Sequence, residues 1–74
     1  MVDDAIVEEL KKYLADDDYK KLLNLCLEPK KRSEMTHLAS QTKMFQMVNN
    51  LMKLRALEIQ SGRYITAAFV RGYL

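Results

Sequence analysis

Little in this chain can carry covalent or metal chemistry. A single cysteine, Cys26, permits no internal disulfide and supplies no zinc site by itself. One histidine, His37, has no second imidazole to share a metal or a proton. With one Cys, one His and scattered carboxylates there is no nucleophile, base and orienting group to assemble, and no glycine-rich phosphate loop. An enzyme is therefore not expected, nor is a cofactor. Two glycines and one proline leave almost no linker material, so the 74 residues are read as one domain. No apolar run approaches the roughly 20 residues that span a bilayer. The opening Met-Val-Asp-Asp lacks a signal-peptide charge pattern. The expectation is an intracellular, cytoplasmic protein of prokaryotic or viral type, with no membrane partner.

What is present is apolar residue at helical spacing. The hydrophobic fraction of 49% excludes disorder. Ile6, Val7, Leu10, Tyr13 and Leu14 form the stripe of a helix over about 4–15, capped by Asp3 or Asp4. Leu22, Leu23, Cys26 and Leu27 mark a second over about 18–27, opened by Asp16-Asp17-Asp18 and stopped at Pro29. Ser33 starts a short third helix, about 33–39, with Met35 and Leu38 inward. After the turn Ser40-Gln41-Thr42, a long helix over about 42–55 carries Met44, Met47, Val48, Leu51 and Leu54 on one face. Met35, Met44, Met47 and Met52 serve as adaptable core filler, while Phe45 and Met52 fall off the main stripe, under a hairpin or at an interface. From Leu57 the period changes, and Ser61-Gly62 between β-capable runs predicts a hairpin over about 57–66. The tail, 67–74, is too apolar to stay wet. It returns to the core or meets a second copy.

The long helix has an unusual polar face: Lys43, Gln46, Asn49, Asn50 and Lys53, without an acid. Carboxamides pair with adenine edges and cations with phosphate, so this face predicts contact with double-stranded DNA; the alternative is a solvated surface. Arg63 at the hairpin turn is placed to touch phosphate or a minor groove. Lys30, Lys31 and Arg32 form a basic connector that either clamps the flanking backbone or complements the end of the preceding helix. Charge is uneven along the chain. Residues 1–18 set seven acids against Lys11 and Lys12, net −5, and residues 19–74 set ten Lys and Arg against Glu28, Glu34 and Glu58, net +7. This predicts an acidic face turned away from an anionic partner and a basic face turned toward it. Cys26 is read as a buried small hydrophobe and His37 as a partly exposed polar residue.

The fold class expected is mainly α with a small β-hairpin. The chain resembles the winged helix-turn-helix domains of small archaeal and bacterial ArsR-like and MarR-like transcription regulators. Asp18-Tyr19-Lys20-Lys21-Leu22-Leu23-Asn24-Leu25 is similar to the helix that opens such domains. Arg32-Ser33-Glu34-Met35 resembles the start of the helix-turn-helix, Asn50-Leu51-Met52-Lys53-Leu54-Arg55 the end of its recognition helix, and Gly62-Arg63-Tyr64 the return strand of the wing. The resemblance implies three to four helices followed by a two-stranded wing, with the helix 42–55 in the major groove. The metal-sensing cysteine pair of many ArsR-like proteins is absent, so no metal is implied. The small core and the apolar surplus on Ile6, Val7, Leu10, Tyr13, Leu14, Phe69, Val70, Tyr73 and Leu74 predict a homodimer through those residues. The rival expectation is a winged-helix protein–protein interaction module in a larger assembly.

Overall fold

Each helix begins where the sequence supplies an oxygen for its unpaired N–H groups. The computed structural model describes residues 3–74. In it α1 (Asp4–Leu14) is capped by Asp3, whose Oδ1 accepts from the Ala5 N–H at 3.0 Å. Helix α2 (Asp17–Leu25) is capped by Asp16, which accepts from the Asp18 N–H at 2.9 Å. Helix α3 (Gln41–Lys53) is capped by Ser40, which accepts from the Lys43 N–H at 3.2 Å. Strands β1 (Leu57–Gln60) and β2 (Arg63–Thr66) then pair antiparallel, Leu57 opposite Thr66 and Gln60 opposite Arg63. Ser61 and Gly62 both take positive φ, 53° and 74°, the type I′ turn that matches the twist of a tight hairpin. The expected class, mainly helical with a hairpin after the helices, is the observed one.

One pairing ties the front of the chain to its end. Lys30 and Tyr64 exchange backbone hydrogen bonds of 2.9 and 2.8 Å, so a single residue after α2 lies along the free edge of β2. The order is therefore helix, one-residue strand, turn, helix, hairpin, with the short strand beside the second arm of the hairpin. That is a winged-helix-like layout with α1 added in front.

The third predicted helix does not form. In place of 33–39 there is one 3₁₀ turn, Arg32–Glu34, followed by irregular turns to Ser40. A seven-residue helix scarcely repays its nucleation, and Ser, Thr and His are weak formers. The Thr36 hydroxyl instead donates back to the Ser33 carbonyl at 3.2 Å. Met35 is nevertheless fully buried, as its spacing predicted.

The core is built from one face of each helix: Leu10 of α1, Tyr19, Leu22 and Leu23 of α2, and Met44, Met47, Val48 and Leu51 of α3, closed by Leu57, Ala67 and Val70. The tail returns to it as a 3₁₀ segment, Ala68–Tyr73. Two side chains, Thr66 of β2 and Arg71 of the tail, complete the chain where α2 ends; the last turn of that helix holds no basic residue. The Thr66 hydroxyl donates to the Leu23 carbonyl at 2.6 Å, and Arg71 Nη2 donates to the Leu27 carbonyl at 3.0 Å. The Leu23 carbonyl has no partner inside the helix and Leu27 lies just past its end, so long-range donors satisfy both.

This packing corrects the expected dimer surface. Leu10 and Val70 are fully buried within the single chain and have no surface left to offer a second copy. Ile6, Val7, Tyr13, Leu14, Phe69 and Leu74 are half-buried, the last four against the core, and Tyr73 is exposed.

Candidate nucleic-acid interface

The core-facing stripe of α3 fixes what points outward. Burying Met44, Met47, Val48 and Leu51 leaves Thr42, Phe45, Gln46, Asn49, Met52 and Lys53 exposed, with no acid among them. Gln46, Asn49 and Lys53 thus stand where the polar-face reading put them.

Lys43 and Asn50 do not. Both lie on the flank of α3 that α2 covers. Lys43 Nζ is 2.8 Å from Asp18 Oδ2 and 3.2 Å from Asp16 Oδ2. Hydrogen bonds to Asp18 and then Asp16 hold its ammonium above the ordinary lysine range. The Asp18 backbone N–H, followed by Lys43, holds the Asp16 carboxyl below the ordinary carboxylate range. Asn50 is half-buried and its Nδ2 donates to the Tyr19 hydroxyl at 3.1 Å. Tyr19 in turn stacks on Tyr13, ring centroids 4.8 Å apart and planes 14° apart. These contacts position α3 against α2 and spend the groups that a base or phosphate would need. They also place part of the acidic stretch 1–18 beside the first turn of α3, not on a face turned away from it.

The basic connector divides. Lys30 is held by its β2 pairing, and its side chain, 24% exposed, reaches Glu28 at 3.9 Å. Lys31 and Arg32 are exposed. Arg32 lines a depression with Thr36, Gln41 and Met44, beside the first turn of α3. Arg63 is exposed at the hairpin turn.

Arg55, quoted in the resemblance but not among the expected contact residues, is exposed just past the Leu54 cap of α3 with φ +59°. Its N–H bonds to the Met52 carbonyl at 3.0 Å and the Ala56 N–H to the Leu51 carbonyl at 2.9 Å, a helix-ending motif that usually holds glycine. The only signal in the sequence was the lack of glycine at a junction that needs one.

The remaining reactive groups are inert or isolated. Cys26 is buried 3.3 Å from Met35 Sδ, and burial pushes its thiol up to about 11 against an opposing pull from Lys30. At neutral pH it is a small core hydrophobe. His37 is exposed. Among the described residues no three His, Cys, Asp or Glu side chains converge on a metal position, and no helix is long and apolar enough to cross a membrane.

Compared with known proteins, the chain matches no protein-family model, no curated protein and no solved structure.

Proposed function

We propose that this chain is a double-stranded-DNA-binding protein of the winged-helix type, acting in transcription regulation. In this reading α3 enters the major groove and the hairpin meets the backbone or minor groove. The observation that carries it is the outward face of α3: Thr42, Gln46, Asn49 and Lys53 are exposed without an acid among them, with Arg32 beside the first turn and Arg63 on the hairpin that follows. Carboxamides read base edges and the cations neutralise phosphates. Ile6, Val7 and Tyr73 are the surfaces left for pairing with a second copy, which would set two α3 helices on half-sites about one DNA turn apart.

Salt dependence tests this. Affinity for a duplex falls steeply with salt, and Lys53→Ala and Arg63→Ala each make the log–log slope shallower by about 1. Lys43→Ala leaves the slope unchanged, because its ammonium is held by Asp16 and Asp18. Absence of binding at low salt would remove the DNA reading. It would favour the second one, a protein-docking module, which the exposure of Phe45 and Met52 on the same face supports.

A further inference from the structure

Phe45 is 58% exposed and Met52 37% exposed, on the face of α3 that also carries Asn49. Neither ring nor thioether gains the burial that Met44, Met47 and Leu51 gain one face away. Single exposed hydrophobics are ordinary on a protein surface, but these two bracket Asn49 at helical spacing. Seven residues separate them, about 10 Å along the helix and close to three base-pair steps. The exposed face of α3 carries Lys53 and no acid, Arg32 lies beside its first turn, and the two acids that reach that turn, Asp16 and Asp18, are paired with Lys43 on the flank. An apolar patch on a helix face that carries carboxamides and a cation but no acid complements a polyanion that presents apolar groups of its own.

The major groove of DNA is such a surface. Its one apolar group is the C5 methyl of thymine, and the adenine opposite offers N6 and N7 to a carboxamide. We infer that Phe45 and Met52 contact thymine methyl groups while Asn49 pairs with adenine between them, so that the preferred duplex is rich in A·T. This rests on the DNA-binding reading above and names the feature of the duplex that α3 recognises.

The test compares an A·T duplex about two helical turns long with its counterpart in which every thymine is replaced by uracil, which lacks only the methyl. Fluorescence anisotropy at low salt gives both affinities for wild type, Phe45→Ala and Met52→Ala. Both side chains are exposed, so neither truncation empties the core. Wild type binds the thymine duplex more tightly, by about fourfold for each methyl buried and about fifteenfold for two. Phe45→Ala loses affinity for the thymine duplex alone, and its preference falls toward unity. Equal affinity of wild type for the two duplexes overturns the methyl contact and leaves the DNA reading standing. A preference that survives intact in both variants also overturns it, since DNA shape would then be its source. No binding to either duplex removes the DNA reading, and this inference with it.

Discussion

Arg55 occupies a backbone conformation that its side chain disfavours. A left-handed φ costs a non-glycine residue about 1 kcal/mol, and the turn after α3 demands it because the Arg55 and Ala56 N–H groups must reach back to Met52 and Leu51. Arg55→Gly should therefore raise stability by about 0.5–1 kcal/mol, read as a higher urea midpoint at unchanged slope. A lower midpoint would mean that the arginine side chain makes a contact worth more than the strain. The same scale shows why Lys43 and Asn50 were misread. Seven residues apart, they sit on the edge between the buried and outward faces of α3. Periodicity cannot say whether a neighbouring element covers such an edge, and Asp16, Asp18 and Tyr19 of the α2 segment do cover it.

Between elements, the contact of α2 with α3 is electrostatic at one end and hydrogen-bonded at the other. Asp16 has a folded pKa below its ordinary 3.8, so its contribution is complete above that value and is lost as pH falls through the lowered one. Lys43 has a folded pKa above its ordinary 10.5, so its contribution is complete below that value and is lost as pH rises through the raised one. Both side chains are partly exposed and the effect is small. Asp16→Asn keeps a competent cap and removes the Asp16 charge, leaving the closer Lys43–Asp18 pair in place. Urea midpoints should then show a gap between wild type and variant that is constant near neutrality and closes below about pH 4. A gap that persists unchanged in acid would mean that the ionised Asp16 carboxylate, held by the Asp18 N–H and then by Lys43, adds nothing to stability. The helices and hairpin themselves were legible in the sequence to within two residues, because amphipathic period, cap residues and the Ser61-Gly62 turn act locally. The segment 33–39 was not. Its inward Met35 and Leu38 mimic a helix stripe, but too few backbone hydrogen bonds are available to hold one.

Across the whole molecule, a radius of gyration of 11.3 Å equals that expected for a folded chain of this length, so the tail is packed and not extended. The core is nonetheless small, and domains of this size hold only about 3–5 kcal/mol. Leu22 is fully buried at its centre. Leu22→Ala costs about 2–5 kcal/mol, a large share of that total, so the variant should be substantially unfolded at 25 °C by far-UV circular dichroism. A cooperative melt within about 1 kcal/mol of wild type would mean that the neighbours collapse into the space.

The sequence by itself determined where α1, α2, α3 and the hairpin lie to within two residues, that Cys26 and Met35 point inward, and that the polar face of α3 holds no acid. These follow from spacing, capping and turn chemistry within a few residues of chain. Only the tertiary structure decided that Lys30 lies along β2, that Arg71 and Thr66 complete the end of α2, that Val70 and Leu10 belong to the core, and which polar residues of α3 remain free. Each of those outcomes joins residues distant in the chain, and local period carries no information about which flank of a helix its neighbours will cover.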